Sequence, residues 1–194
     1  MPEDPVIVPS RPPRVPASAT PEGDGVVVGD GPVPVDAYID FQCPFCRRFE
    51  LSSGPTLAAL VTGHRISIAY HPMNFLDQAS TMRYSTRAAA ASGCAADQDR
   101  FLDYMHELFV NQPPEGSAGL SDAELIALGQ GAGLGPAFGS CVTEGPYLDW
   151  PLYVTARAAA TGVEATPTVL VAGVAVATES EAIMVAVEQV RARS

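Results

Sequence analysis

The chain has 194 residues, of which 47% are apolar and 17% charged, a composition that fits one globular domain with a real core. Its 22 acidic and 11 basic residues give a net charge of -11, which repels nucleic acid and anionic lipid surfaces, so we exclude a nucleic-acid partner. No apolar run reaches the length of a membrane span, and no signal peptide follows Met1.

Proline is concentrated at the start of the chain, where seven of the 18 prolines lie within the first 21 residues. Since proline favours an extended backbone, residues 1–32 are predicted to form a proline-rich N-terminal extension. Such a stretch is typical of the sequence between a removed signal or anchor and a folded domain. The alternative is an ordinary flexible tail. A short edge strand is expected at residues 26–28, within this stretch.

The next segment alternates apolar and other residues from Val33 to Phe41, which predicts a strand. Apolar residues then recur at near-helical spacing from Phe45 to Val61, so a helix is predicted to follow the strand directly. Pro55 lacks a backbone donor and is expected to kink or break this helix. A second strand is predicted at residues 66–70.

A long helical pattern separates this first half from the strands that follow. Residues 76–161 are predicted to be helical, with a capping box from Ser121 to Glu124 opening one of the helices. A hairpin is expected over residues 168–176, and Thr178 to Glu181 has the form of a second capping box before the last helix. The order predicts an α/β fold with a mixed sheet in two halves.

Cys43 and Cys46 form a CxxC motif where the first long strand meets the first helix. At the start of a helix, free backbone N–H groups and the positive end of the helix dipole stabilise an anion, so the pKa of Cys43 should be lowered. A stabilised thiolate is also a good leaving group, as thiol-disulfide exchange requires. The motif therefore indicates redox chemistry.

Cys94 and Cys141 are isolated in the sequence and leave two interpretations open. They are either buried free thiols or a structural disulfide between two helices, which would indicate an oxidising compartment. An even count of cysteines without a second CxxC argues against a four-cysteine zinc site.

The remaining candidates are polar or aromatic residues outside the motif. Asp40 could tune the field around Cys43 or relay a proton, or it could be a strand-end residue that makes a turn, and Asp36 is a weaker candidate for the buried-acid role. The three histidines, His64, His71 and His106, do not have the spacing of metal ligands, so no metal site is predicted. The aromatic residues Tyr147, Trp150 and Tyr153 are interpreted as core packing.

The segment from Asp40 to Cys46, DFQCPFC, resembles the active-site segment of the thioredoxin-fold oxidoreductases of the DsbA-like family. The segment from Gly162 to Thr168, GVEATPT, is similar to that family's loop with a cis-proline. The resemblance implies a thioredoxin-like fold with a helical insertion domain. The DsbA-like domain would span residues 33–194, with residues 33–75 and 162–194 as the core and 76–161 as the insertion.

The same resemblance implies a role for each matched residue. Cys43 would be the nucleophile and Cys46 the resolving cysteine, while Pro167, in cis, would face them and turn the Thr166 backbone toward the sulfurs. There an extended substrate segment could pair with the backbone as an added strand. Pro44 and Phe45 complete the loop. Since histidine is usual in place of Phe45, one source of thiolate stabilisation is missing and a weaker oxidant is expected.

The function implied is the introduction of disulfides into reduced, partly unfolded exported proteins. The insertion, the Cys94 and Cys141 pair and the composition are most similar to extracytoplasmic, often membrane-anchored, actinobacterial members. We therefore expect a location in the cell envelope or outside the cell. A quinone-linked membrane partner of the DsbB or vitamin-K-epoxide-reductase-like type would reoxidise the protein, and no cofactor or metal is required.

Two alternatives remain open at this point. Within the same chemistry, the protein could be a disulfide reductase or isomerase. From a different class, it could be a non-catalytic peptide-binding module or chaperone whose CxxC is structural or binds zinc together with a partner.

Overall fold

The computed structural model describes residues 8–193, so residues 1–7 of the expected extension and Ser194 lie outside the described residues. The described chain forms five strands and seven helices, and an α/β fold is confirmed. In chain order these are β1 (Val26–Val28), β2 (Val33–Ile39), α1 (Pro44–Thr62), β3 (Ile66–Pro72), α2 (Tyr84–Ala96), α3 (Phe101–Val110), α4 (Asp122–Gly131), α5 (Pro136–Glu144), α6 (Trp150–Ala160), β4 (Thr168–Val171), β5 (Val174–Val176) and α7 (Ser180–Arg191).

The strands form one mixed sheet in the order β1-β3-β2-β4-β5. β2 lies in the centre, parallel to β3 and antiparallel to β4, with Ala37 opposite both Tyr70 and Val169. Val33, Val35, Ala37 and Ile39 are all buried, which explains why this strand carries the clearest alternation in the sequence. The chain that leaves the end of β2 therefore emerges at the middle of the sheet.

Helix α1 follows β2 after a short loop and runs for 19 residues with Pro55 inside it. The expected break at Pro55 does not occur. Proline removes one intrahelical hydrogen bond, the one to the carbonyl of residue 51, but Leu51 is 41% exposed and water can hydrate that carbonyl. The buried positions of the helix continue on both sides of the proline, with Phe49 before it and Leu57 after it.

The two predicted capping boxes have different outcomes. At α4, Ser121 accepts a hydrogen bond from the backbone N–H of Glu124, and the Glu124 side chain accepts one from the Ser121 N–H, so that box is confirmed. At α7 the box is wrong, because the helix begins at Ser180 and has no side-chain cap. Ser180 instead donates to the backbone oxygen of Ser52, which ties the start of α7 to α1.

The helices between β3 and β4 form a block held together by aromatic packing and one cross-link. Tyr104 and Phe138, both fully buried, meet edge to face with ring centroids 4.9 Å apart. Cys94 in α2 is joined to Cys141 in α5 by a disulfide across a sequence separation of 47 residues. None of the described helices is both long enough and apolar enough to cross a lipid bilayer.

Part of the segment assigned to the extension packs against the domain. β1 pairs with β3 at the edge of the sheet. The indole N–H of Trp150 donates to the Gly23 carbonyl at 2.8 Å, and Arg157 donates to the Asp24 carboxylate at 3.0 Å. The aromatic cluster around Trp150 thus packs as expected and also anchors residues 16–28, because buried indole and phenol groups need acceptors.

Opening the cross-link in the helical block should destabilise the protein. The double variant C94A/C141A is expected to lose about 4 kcal/mol of unfolding free energy, since the bond restricts the unfolded chain over a long loop. Urea denaturation without reductant measures the loss. The variant C43S/C46S is the matched control, because it removes two cysteines without opening this loop. A loss below about 1 kcal/mol would contradict the entropic role of the bond.

Candidate active site

Cys43 is the residue that precedes α1, and its extended backbone (φ -76°, ψ 118°) caps the helix. Pro44, the first helical residue, lacks an N–H group and suits this position because its ring fixes φ near the helical value. The N–H groups of the next residues have no partner within the helix. The loop from the central strand therefore delivers a cysteine sulfur to the positive end of a 19-residue helix.

The environment of Cys43 favours its thiolate. A hydrogen bond from the Cys46 thiol is the largest cause, and with the backbone N–H groups of Cys46 and Phe45 it lowers the pKa of Cys43 to about 6, although burial opposes the shift. At neutral pH Cys43 is therefore mostly ionised when the pair is reduced. The side chain keeps a small exposed fraction, since the residue is 4% exposed.

Cys46 has the opposite environment. It is fully buried on α1, and burial raises its pKa well above the ordinary value, with the neighbouring Cys43 thiolate adding to the effect. The backbone N–H of Asp40 points at its sulfur at 3.4 Å. The two sulfurs are therefore unequal: Cys43 is ionised and keeps a small exposed fraction, whereas Cys46 is protonated and fully buried. Of the pair, Cys43 alone offers an incoming thiolate any access, so access makes it the sulfur at which a disulfide would be attacked.

The loop before β4 brings a backbone carbonyl to the reactive sulfur. The Thr166–Pro167 peptide bond is cis. Cys43 Sγ lies 3.3 Å from the Thr166 carbonyl oxygen, across a sequence separation of 123 residues. The structure thus brings Thr166 and Pro167 together with the CxxC, as the resemblance implied.

Asp40 is fully buried beneath the cysteines, where its carboxylate accepts three hydrogen bonds. The donors are the N–H of Gln42 at 2.8 Å, the hydroxyl of Ser85 at 2.7 Å and the N–H of Leu76 at 2.9 Å. Burial raises the pKa of Asp40 to about 6, and the charge of Cys43 adds to that rise. The hydrogen bond from the Gln42 N–H forms the turn that was the alternative interpretation of Asp40. The negative charge of Cys43 also contributes to the raised pKa of this carboxyl.

Asp36 is not part of this site. It lies in β2, and its carboxylate is 3.1 Å from Nε2 of His71, which also meets the Asp24 carbonyl through Nδ1 at 2.7 Å. The ring of His71 stacks on Tyr38 with centroids 4.3 Å apart. This cluster holds the N-terminal segment to the sheet.

Phe45, at the second position between the cysteines, is 59% exposed. The guanidinium of Arg48 lies 5.4 Å from the centre of its ring, within the range of a cation–π contact. An exposed aromatic ring beside the reactive sulfur offers apolar contact but neither charge nor a hydrogen bond.

The remaining predicted residues lie outside the site. Cys94 and Cys141 stand in the helical block, where they bond to each other. His64 pairs with Asp30, and His106 lies 3.5 Å from the buried carboxylate of Glu50. Glu50 and His106 line a cleft of about 700 Å³ that contains none of the predicted site residues. In the described chain no three metal-ligating side chains are grouped to hold an ion.

Sequence reasoning missed Gln112. Its side-chain amide donates to the backbone oxygens of Phe41 and Cys43 at 2.9 and 3.0 Å, from the loop that follows α3. Nothing in its surroundings, a glutamine before Pro113 and Pro114, signals contact with a loop about 70 residues earlier. Such a contact can be found only once the helical block is placed against the sheet.

Comparison with known proteins gives three findings. The family model described as thioredoxin matches residues 22–188. Two crystal structures from Mycobacterium tuberculosis are each 36% identical to the chain: reduced DsbA, covering 79% of this chain and 84% of that one with a TM-score of 0.70, and reduced DsbG, a disulfide bond oxidoreductase, covering 81% of both chains with a TM-score of 0.71.

The third finding comes from a curated protein, the serine/threonine-protein kinase PknE of Mycobacterium tuberculosis. It is 37% identical over 131 residues, which make up 63% of this chain and 23% of the kinase. The chain therefore spans less than a quarter of the length of the curated relative that it matches.

The unequal cysteines predict a pH profile for alkylation. In the reduced protein, the rate of iodoacetamide modification of Cys43 should rise with a midpoint near pH 6, while Cys46 stays unreactive up to pH 9, because its pKa is raised well above 9.0. Mass spectrometry of the digest identifies the modified residue. In C46A the midpoint should move up, since the thiol that donates to Cys43 is gone. An unchanged midpoint in C46A would contradict the assigned cause.

Proposed function

Because this chain belongs to the thioredoxin-fold family of DsbA-type thiol-disulfide oxidoreductases, we propose that it introduces disulfides into reduced, partly unfolded exported proteins through Cys43 and Cys46. The observation that carries the proposal is the inequality of the two sulfurs. The low pKa of Cys43 stabilises the reduced pair relative to its disulfide, which is the property of a disulfide donor, and the Cys46 thiol contributes by donating to that thiolate.

The reaction begins with the Cys43–Cys46 disulfide. A substrate thiolate attacks Cys43 Sγ, a mixed disulfide forms, and Cys46 leaves as a thiolate that takes up a proton because of its high pKa. A second substrate thiolate then attacks the substrate sulfur of the mixed disulfide, and Cys43 leaves as a stabilised thiolate. The substrate gains one disulfide and the protein gains two electrons.

The substrate chain is held by backbone contacts and by a groove. The Thr166 backbone beside Cys43 offers an edge on which an extended peptide adds as a strand, and this suits substrates of varied sequence because main-chain bonds do not depend on side chains. A groove of about 620 Å³ opens next to the first turn of α1, lined in part by Pro44, Arg47 and Gln112. Both features fit an unfolded chain.

Asp40 has two tasks in this scheme. Its hydrogen bonds hold the loop between β2 and α1, and its ionised carboxylate opposes the negative charge on Cys43. The nearby N–H of the same residue contacts Cys46 Sγ. Asp40 therefore influences both cysteines, and its own pKa of about 6 lies within one unit of neutral pH.

The cycle needs an oxidant, since each turnover leaves both cysteines reduced. The likeness to DsbA supports a quinone-linked membrane partner of the DsbB or vitamin-K-epoxide-reductase-like type, which would accept the two electrons. It also supports a location outside the cytoplasm, where the disulfide between Cys94 and Cys141 would persist. Anchoring of the full-length protein to the membrane belongs to the same proposal.

A second candidate within the same chemistry is a reductase or isomerase. Phe45 favours it, since phenylalanine lacks a donor that would stabilise the Cys43 thiolate further. A less stabilised thiolate lowers the tendency of the pair to give up its disulfide. The third candidate is a non-catalytic peptide-binding module. Such a module does not require that the pKa of Cys43 be lowered while that of Cys46 is raised.

The reduction potential of the Cys43–Cys46 pair tests the proposed direction. Equilibration with glutathione should give a value near or above about -180 mV, that of disulfide donors and isomerases, whereas a value near about -270 mV would indicate a reductant. In parallel, C46S should accumulate mixed disulfides with a disulfide-bonded substrate, because its Cys43 thiolate attacks the substrate disulfide, a substrate thiolate leaves, and no Cys46 is present to resolve the product. C43S should be inactive. Full activity of C43S toward reduced substrates would contradict the proposed catalytic role of Cys43.

Replacing Phe45 tests the missing stabilisation. F45H should raise the reduction potential by tens of millivolts, because a protonated imidazole at this position would favour the Cys43 thiolate, and one pKa unit corresponds to about 30 mV. The exposed side chain makes a folding cost small. F45L is the control, since it changes the ring without adding charge, and its potential should stay at the value of the parent protein.

A further inference from the structure

Two glutamines, Gln42 and Gln112, link the active-site loop to the loop that follows α3, and we propose that Gln112 is a positioning residue that keeps Cys43 in the geometry of its stabilised thiolate. The proposal rests on the proposed function, because it concerns the control of the same site. According to the proposal, a loop of the helical block influences the equilibrium between the reduced and the disulfide form of Cys43 and Cys46.

The two side chains bind each other's loops. Gln112 Nε2 donates to the backbone oxygens of Phe41 and Cys43 at 2.9 and 3.0 Å. Gln42 Nε2 donates in the other direction, to the backbone oxygens of Pro114 and Ser117 at 3.4 and 3.2 Å. Since carbonyl oxygens only accept hydrogen bonds, each amide must present its NH₂ group to its pair of carbonyls, so both orientations are fixed.

The carbonyls that Gln112 binds are those on either side of Gln42, in the loop that ends at Cys43. Phe41 is fully buried, and within the described chain its carbonyl accepts a hydrogen bond from Gln112 alone. The Cys43 carbonyl also accepts the first hydrogen bond of α1, from the Arg47 N–H at 3.1 Å. Gln112 thus fixes two peptide planes of the segment that carries the reactive sulfur.

The two redox states depend on these bonds to different degrees. In the oxidised protein the covalent bond to Cys46 fixes the Cys43 side chain against the first turn of α1. In the reduced protein that bond is gone, and the backbone geometry of Cys43 holds its sulfur beside the Cys46 thiol and over the N–H groups of Phe45 and Cys46, which together stabilise the thiolate. Loss of the Gln112 amide should therefore cost the reduced state more than the oxidised state.

This difference gives the effect a sign. If the reduced state is selectively destabilised, the pKa of Cys43 rises and the equilibrium with glutathione moves toward the protein disulfide. A merely structural role would lower the stability of both states equally and leave that equilibrium unchanged, because the redox equilibrium reports only the difference between them.

The test compares three variants of the full chain. Q112M keeps the length of the side chain and removes both donors, while Q112K keeps a donor and adds a positive charge. Q130M is the matched control, since Gln130 is an exposed glutamine on α4. For each, the equilibrium constant with glutathione, the Cys43 pKa from thiolate absorbance, and the unfolding free energies of the oxidised and reduced forms are measured.

We expect Q112M to shift the glutathione equilibrium three- to tenfold toward the disulfide, where tenfold corresponds to about 30 mV, and to raise the Cys43 pKa. Q112K should stay at the parent values or move the pKa downward, and Q130M should match the parent. Equal losses of stability in both redox forms of Q112M, with an unchanged equilibrium, would overturn the proposal. A shift in Q112K as large as that in Q112M and of the same sign would overturn it too.

Failure of the proposed function would look different. A parent protein as reducing as thioredoxin would contradict the direction of electron flow, yet the comparison of Q112M with the parent would still report on Gln112. Conversely, an oxidising parent with an unresponsive Q112M would leave the function standing and remove Gln112 from the control of Cys43.

Discussion

The chemistry of this protein depends on the first turn of α1, where the Cys43 thiolate is stabilised by the Cys46 thiol and by unpaired backbone N–H groups. These N–H groups are free because a helix cannot satisfy its own first donors, and they meet Cys43 Sγ because the loop from the central strand ends there. Pro44 is the first residue of the helix, and the pairing of β2 with β3 fixes the position at which the chain leaves the sheet. The rest of the fold places other groups around this sulfur.

Those groups come from segments that are distant in sequence. Asp40 joins the loop to Leu76 and Ser85, Gln112 reaches it from beyond α3, and Thr166 approaches from the loop before β4. The buried Phe41 carbonyl would have no partner without Gln112, so the site and the packing of the helical block stabilise each other. The redox pair is therefore coupled to the whole domain through a few hydrogen bonds.

The sequence predicted the parts of the fold that follow from local pattern. The alternation through Ile39 and the helical spacing after Phe45 placed the CxxC at a strand-to-helix junction, because burial on one face imposes a period. Of the kink or break expected at Pro55, the break was wrong, since the helix continues through the proline. The cost of a proline in a helix depends on whether the freed carbonyl reaches water, which depends on tertiary position. The capping box at Thr178 was wrong because Ser180 found partners on α1.

The candidate site divides in the same way. Local sequence showed Cys43, Cys46 and Asp40, whereas the approach of Thr166 and Pro167 was expected only from family resemblance. Nothing in the sequence indicated Gln112, because its contacts depend on one amide meeting two carbonyls about 70 residues earlier in the chain. Contacts of this kind have no period, spacing or composition that a single sequence displays.

The last contributor to the site is Thr166, which stands 123 residues after Cys43. A chain emerging from the ribosome carries its first cysteine long before it carries this loop, and before Gln112 as well. Until those segments arrive, the active-site loop lacks the hydrogen bonds from Gln112 and the approach of Thr166, although Cys46 and the first turn of α1 are already synthesised. The complete surroundings of Cys43 therefore form only when the whole domain has been synthesised.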